Sequence, residues 1–381
     1  MKPLKNPIRP YPWGSRTAIA TMQDRPAPTA IPEAELWLGA HPNGPSTVPG
    51  GALSSIIAAD PETTIGPAAM ARFGPRLPYL FKVLAAAEPL SIQVHPDAEQ
   101  AAAGFAAENE AGLPGPRRTY VDPYPKPEII VALDDFDALC GFRQPAESAE
   151  VLRGLGVPGL DPIVAALRTG STEDRLRTAV SLLLGWPESA RTDLVSSIAS
   201  SPAAADLAVD LAKRYPSDVG VVLALLLNRV HLRRDEAIFM PPGNPHAYLR
   251  GVGVELMAAS DNVARAGLTP KHVAPREVCR LLRFQVLDAP VVSPVTIAPG
   301  LVTWPAPIAE FALHQAAPAG SAVTLPGGGP RIVLCVAGRA SLRAGDETVE
   351  VRGGRAMFVA AAEPPVSVSG DCVVFQASCP V

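Results

Sequence analysis

The spacing of apolar and polar positions divides the chain into three kinds of text. From residue 1 to about 144, apolar residues come in short runs broken by turn-formers: LPYLFKVL, LSIQVHP and PEIIVALDDF. Runs of this length, bounded by Pro, Gly and Asp, predict strands. Two stretches inside this region have helical spacing instead, Leu53 to about Ala59 and Asp97 to Glu110. Asp97 is placed to cap the second. From about 145 to 230 the period lengthens. Asp161-Pro162 opens an apolar-periodic segment that closes at Gly170, with Asp as the expected N-cap and Pro at the first helical position. Ser171 is followed three residues later by Asp174, the form of a capping box. SARTDLVSSIASS, AADLAVDLAKRY and DVGVVLALLLNRV extend the block as further helices. Strand patterning then returns from about 231 to 290 and continues, as a separate unit, from 291 to 381. The pattern predicts a mainly β protein with an α-helical insertion at 145–230 that splits one β domain into 1–144 and 231–290. The insertion carries no cluster that suggests chemistry and reads as a cap or lid.

A repeat runs across the β regions. EAIFMPPGNPHAYL and RAMFVAAAEPPVSV align without gaps, Ala237 over Ala356 and Phe239 over Phe358. In this register His246 falls on Pro365. Two related β-sandwiches are expected, with the histidine in the first alone. The second has a single histidine, His314, well upstream of the matching turn, so no metal is expected there.

Composition narrows the function classes. The 381 residues, 48% of them hydrophobic, suffice for two or three domains with substantial cores. The longest apolar run, Val219 to Leu227, falls far short of the roughly 18–20 residues of a membrane span. The N-terminal MKPLKNPIRPYPWGS has no apolar segment of the secretory kind. Five cysteines without a CxxC pair fit a reducing cytoplasm. A net charge of −4 without a basic run argues against nucleic acid. A cytoplasmic protein that binds neither membrane nor nucleic acid, and works as a monomer, is expected. Only six of the 33 basic residues are lysines: Lys2, Lys5, Lys82, Lys126, Lys213 and Lys271. Where arginine is the default cation, an internal lysine marks either a leftover surface charge or a place that needs a compact, tunable ammonium.

Four residues could form a metal site. In LSIQVHP, strand alternation turns Gln93 and His95 to the same side. Such a pair binds a metal or forms a hydrogen-bonded core contact. Glu128 opens the apolar strand EIIVAL, and a buried carboxylate requires a cation, donors or a metal. Lys126, two residues away, offers a plain salt bridge as the simpler account. His246 follows the rigid turn Pro-Pro-Gly-Asn-Pro, which limits the freedom of the side chain it presents. An amide oxygen, two imidazoles and a carboxylate suit a borderline divalent ion with an open coordination position. Beyond His246, the stretch GVGVELMAASDNVARAGLTPKHV concentrates Glu255, Asp261, Asn262, Arg265, Lys271 and His272. Polar groups on loops beside a β scaffold form binding walls, and Arg265 and Lys271 suit a phosphate or an enediolate oxygen.

HAYLRGVGVELMAASDNVARAGLTPKHV closely resembles the long signature of the type I mannose-6-phosphate isomerases. AELWLGAHPNGPS, PYLFKVLAAAEPLSIQVHP and YVDPYPKPE resemble three further blocks of that family, in its order. The resemblance spans essentially the whole chain. It implies a cupin-type jelly-roll fold, one zinc ion and interconversion of mannose 6-phosphate and fructose 6-phosphate, a step in carbohydrate metabolism and GDP-mannose biosynthesis. Residue by residue, it puts the zinc ligands on Gln93, His95, Glu128 and His246, and the active-site arginine on Arg265. Lys82, Lys126, Lys271, Trp13, Ser91, Tyr248 and Glu255 also fall at matching pocket positions. One block departs from the family. Asn-His-Lys-Pro-Glu is Tyr124-Pro125-Lys126-Pro127-Glu128 here, so a histidine considered for proton transfer is absent.

Aldose–ketose isomerisation through an enediolate needs an electrophile at the oxygens and a base near the carbons. Glu255, Asp261 and Lys126 are the candidate bases, and phosphate falls to some of Lys82, Lys126, Arg265 and Lys271. Two rivals remain at this stage: another metal-dependent cupin enzyme, and a non-catalytic sugar-phosphate binder.

Overall fold

The computed structural model describes residues 1–380. Tyr79–Ala86 and Glu128–Ala132 are buried along their whole length, as apolar strands are when both faces of their sheet are covered. They lie in a sheet of antiparallel strands ordered Val291–Val292, Ala237–Met240, Glu128–Ala132, His246–Ala258, Tyr79–Ala86, Glu35–Leu38 and Ile8–Arg9. A facing sheet runs Ala264–Gly267, Ile92–Val94, His246–Ala258, Phe136–Phe142 and Leu227–Leu232. The long strand His246–Ala258 belongs to both. Its first residues pair with Gln93 and Cys140, its last with Tyr79–Ala86 and Glu128–Ala132. The passage between sheets falls at Gly251, with φ +135°, where a Cβ would stand 2.5 Å from the Phe136 ring. Only glycine tolerates that combination.

The second sandwich repeats the strand order. One sheet runs Lys2–Leu4, Arg355–Val359, Arg331–Ala344, Cys372–Ser378, Ala312–Ala316, Leu301–Thr303 and Val295–Ala298. The repeat seen in the sequence also holds in the pairing. Met240 pairs with Glu128, and its counterpart Val359 pairs with Arg331. Arg331 therefore stands where the first sandwich has Glu128. Fully buried, its guanidinium donates to the carbonyls of Ala360, Glu363 and Pro364 at 2.8, 2.6 and 3.0 Å, in the turn corresponding to 241–245. The outward faces of the two large sheets share one core, with Phe81, Val83, Ile129 and Leu256 from the first and Ile332, Leu334 and Phe375 from the second. Burying each such side chain contributes about 1.5–3 kcal/mol.

The helices fill 145–224. Thr172–Leu184 buries Leu176, Ala179, Val180, Leu183 and Leu184, a stripe at three- and four-residue spacing. Its core continues into Ile92, Val94, Ala247, Ala264 and Ala266, so the facing sheet rests on the helical block. The capping boxes at Asp97–Gln100 and Ser171–Asp174 both form. Asp161 does not act as a cap. It lies inside the helix Asp161–Ala166, because the turn Pro158–Leu160 leads straight into it. DVGVVLALLLNRV is not one helix but a short helix, Gly220–Ala224, followed by the strand Leu227–Leu232. A uniformly apolar run carries no period to separate the two. The helices Ala18–Met22 and Pro61–Thr64 give too few residues to show a period, and Pro67–Phe73 and Pro275–Leu281 are further short helices that the pattern did not predict. Among the described residues no helix is long and apolar enough to cross a membrane.

Candidate metal centre and active site

His95, Glu128 and His246 come together inside the first sandwich, each from the edge of a strand. One ligand atom of each lies within 4.8 Å of the others, and all three side chains are buried. His95 Nε2 stands 3.5 Å from Glu128 Oε1, and His246 Nε2 stands 3.2 Å from Glu128 Oε2. The opposite ring nitrogens face backbone. His95 Nδ1 is 2.8 Å from the Asn262 carbonyl, and His246 Nδ1 is 3.1 Å from the Asn244 carbonyl. A carbonyl only accepts, so each Nδ1 donates to backbone and each Nε2 is left to face the Glu128 carboxylate. That is the arrangement of metal-binding imidazoles held by outer hydrogen bonds. Gln93 stands two residues before His95 and pairs directly with His246 across the strands.

The rigid turn before His246 is anchored to the same centre. Gly243 N–H donates to the His95 carbonyl at 2.8 Å, and Gly141 N–H donates to the Pro245 carbonyl at 2.8 Å. Both histidines are thus set by one piece of backbone.

Charge around the triad is unbalanced. Burial would raise the Glu128 carboxyl, but Lys126 and the two imidazoles overrule it and hold Glu128 well below the usual carboxylate range. Lys126 Nζ lies 2.9 Å from Glu128 Oε1. Burial, joined by the Lys126 charge, pushes His95 down to about 4, so the ring is neutral. Behind them, Lys82 pairs with Glu255 and stands 3.6 Å from Glu35. Burial would lower Lys82, but Glu255, Glu35 and Glu128 together raise it. Burial raises Glu255, with Lys82 opposing, and Tyr248 donates to it at 2.7 Å. Three enclosed carboxylates, Glu35, Glu128 and Glu255, thus face two ammonium groups, Lys82 and Lys126. A divalent cation more than offsets the deficit, and the donor set of two imidazoles and a carboxylate fits such an ion.

The family description "Phosphomannose isomerase type I, catalytic domain" matches residues 1–145. The mannose-6-phosphate isomerase of Escherichia coli (strain K12) is 37% identical over 97% of both chains. That of Bos taurus is 30% identical over 99% of this chain and 98% of its own. The chain belongs to the type I phosphomannose isomerase family. A solved structure described as mannose 6-phosphate isomerase (holo; zinc bound) superposes with a TM-score of 0.91 at 34% identity, over 100% of this chain and 99% of that one. A point mutant of phosphomannose isomerase from Salmonella typhimurium gives 0.92 at 34% identity over both whole chains. The mainly β architecture with its helical block is that of the family.

The remaining family positions divide into those at the triad and those around it. Arg265 pairs with Gln93 across neighbouring strands, beside the triad. Burial lowers its guanidinium, and no carboxylate among the described residues forms an ion pair with it. Burial, joined by the charge of Arg265, also lowers Lys271. Ser91 precedes Gln93 by two on the same strand side and is half-buried. Trp13 packs against the interior cluster that contains Tyr248. Asp261 has partners of its own outside the triad. Its carboxylate accepts from Asn43 at 2.7 Å and stands 3.4 Å from His41 Nε2. Burial would raise it, but His41 keeps it low. It also helps to wall a cavity of about 540 Å³ with His41, Asn43, Asp122 and Tyr124, to which the three ligand residues do not contribute. Pro125, where the family has histidine, lines another surface cavity with Arg72, Arg76, Tyr124 and Glu310.

Sequence reasoning missed two of these participants. Glu35 lies in the fully buried strand Glu35–Leu38, where it accepts from Trp37 at 2.6 Å. The signal was available: it is a carboxylate in an apolar strand, the argument applied to Glu128. His41 gave no such signal, because its partner Asp261 is distant in the chain.

Proposed function

We propose that this protein is a zinc-dependent mannose-6-phosphate isomerase that interconverts D-mannose 6-phosphate and D-fructose 6-phosphate, with Gln93, His95, Glu128 and His246 as the zinc ligands. The observation that carries the reading is the buried His95–Glu128–His246 triad, with both Nε2 atoms turned to the carboxylate, in a chain of this family. Zinc, when bound, supplies a Lewis acid for the sugar's carbonyl and hydroxyl oxygens.

The chain's own residues do the rest. Arg265 and Lys271, which form no ion pair with a carboxylate among the described residues, hold the phosphate and the charge that develops on the enediolate. With Glu128 given over to the metal, Lys126 acts as a neutral amine that takes the proton from one carbon and returns it to the next, its nitrogen standing 2.9 Å from Glu128 and 3.5 Å from His95. Its rivals are engaged elsewhere, Glu255 between Lys82 and Tyr248, and Asp261 between His41 and Asn43. Lys82 and Tyr248 serve the substrate indirectly by fixing Glu255, while Trp13 and Ser91 shape the mouth of the pocket. Pro125 has no side-chain group that can take up a proton, so it takes no part in proton transfer. One chain brings every one of these residues together, which supports a monomer as the working unit. Five unpaired cysteines support a reducing cytoplasm.

The test is a coupled assay for fructose 6-phosphate formed from mannose 6-phosphate, with zinc content measured on the same protein. Zinc-loaded protein without turnover would overturn the reading.

A further inference from the structure

We infer that the helical insertion sets the phosphate end of the site, with Asp218 as its positioning residue. This rests on the assignment of Lys271 and Arg265 to phosphate. Asp218 lies between the helices Asp206–Arg214 and Gly220–Ala224. One carboxylate oxygen accepts from the insertion's own Gly220 N–H at 2.7 Å, and the other accepts from Thr269 N–H at 2.9 Å. Thr269 Oγ1 in turn accepts from Lys271 N–H at 3.1 Å. A continuous path of three hydrogen bonds therefore joins the insertion to the backbone of Lys271.

The backbone beneath this path is one that would not hold its shape unaided. Leu268, a non-glycine residue, has φ +56°, in the left-handed region. Gly267 and Gly220 approach so closely that a Cβ on either would meet the other's Cα at 2.8 Å or less. The insertion and the Ala264–Gly267 strand are thus pressed backbone to backbone just beyond Arg265. The same end of the insertion grips the other flank of the site. Tyr215 donates to the Pro89 carbonyl at 3.2 Å, and Arg214 pairs with Glu88 at 3.0 Å, ahead of Ser91 and Gln93. The segment 214–220 clasps the chain on both sides of the ligand-bearing and cation-bearing strands. The insertion is a brace for the anion site.

The experiment measures inhibition of the zinc-loaded full chain by inorganic phosphate, with KM and kcat for mannose 6-phosphate. Lys271→Ala should weaken phosphate about tenfold or more, as loss of a charged contact does. Asp218→Asn should weaken phosphate and raise KM by about tenfold, with kcat and zinc content nearly unchanged. Thr269→Ala, which leaves the insertion untouched, should act in the same direction by about threefold. Asp218→Asn in the Lys271→Ala background should add little, since it acts through Lys271. If Lys271→Ala weakens phosphate while Asp218→Asn and Thr269→Ala do not, the inference is wrong and the phosphate assignment stands. Additive effects in the double variant, or a fall in kcat and zinc content with phosphate affinity unchanged, also overturn it. If Lys271→Ala itself leaves phosphate inhibition unchanged, the phosphate assignment fails first.

Discussion

Replacing Asn262 with alanine should weaken zinc binding although Asn262 is not a ligand. Its side chain is fully buried and fully used. Oδ1 accepts from Val121 and Asp122 N–H at 2.8 and 3.2 Å, while Nδ2 donates to the Asp122 and Tyr124 carbonyls at 2.8 and 2.9 Å. Those bonds hold the Asn262 carbonyl against His95 Nδ1 and fix the segment that leads to Lys126 and Glu128. Alanine keeps that carbonyl but loses the bonds that aim it, and disturbing an outer partner costs up to about 10–100-fold in metal affinity, or about 1.4–2.7 kcal/mol. The alanine also removes four bonds to part-buried backbone groups, at up to about 1–3 kcal/mol for each that water does not reach, so some loss of stability accompanies it. Competition against a chromophoric chelator gives the zinc Kd, and thermal unfolding with and without zinc gives the stability of each form. The expected result is a Kd raised by one to two orders of magnitude, with the zinc-loaded protein losing more stability than the zinc-free one. An unchanged Kd alongside an equal loss of stability in both forms would show that Asn262 is only a fold support, and the reasoning would fail.

Four further outcomes follow from the same geometry. His246→Ala should abolish zinc binding and isomerase activity while circular dichroism shows the fold largely intact; a fully active, zinc-replete variant would remove His246 from the centre. Arg265→Ala should lose turnover with zinc still bound, read by metal analysis beside the coupled assay, and near-normal turnover would strike it from the catalytic set. Zinc-free protein should lose stability in acid on account of His95, whose ring burial pushes down to about 4 from an ordinary 6.5. The folded value is the lower one, so between pH 6.5 and 4 the unfolded chain takes up a proton that the folded chain refuses, and about 3 kcal/mol is lost on falling through that window. Urea unfolding at pH 7 and 4.5 measures this, and His95→Gln should flatten the difference; an equal slope in both proteins would refute it. Arg331→Leu should destabilise the fold by about 3 kcal/mol, because the buried carbonyls of Ala360, Glu363 and Pro364 lose their donor, with zinc content unchanged in whatever remains folded.

Much of this was legible in the residues themselves because it is local. Alternation in LSIQVHP puts Gln93 and His95 on one side of a strand, whatever the rest of the chain does. A carboxylate at the head of EIIVAL demands a partner for the same reason, and Asp97 and Ser171 cap their helices with groups three residues away. The long signature from His246 to Val273 carried the family. Tertiary structure alone decided which charges neutralise one another. Lys82 goes to Glu255 and Glu35 rather than to open pocket, Asp261 goes to His41 and Asn43, and Glu35 joins the enclosed carboxylates. These pairings join residues far apart in sequence: His95 and Asn262 are separated by 167 positions. Periodicity reports which side of an element is apolar. It carries no distance between elements, and electrostatic energy depends on that distance. The helical insertion shows the same limit. Its sequence gives helices without evident chemistry, and only its packing against Gly267 reveals a carboxylate that holds the loop of Lys271.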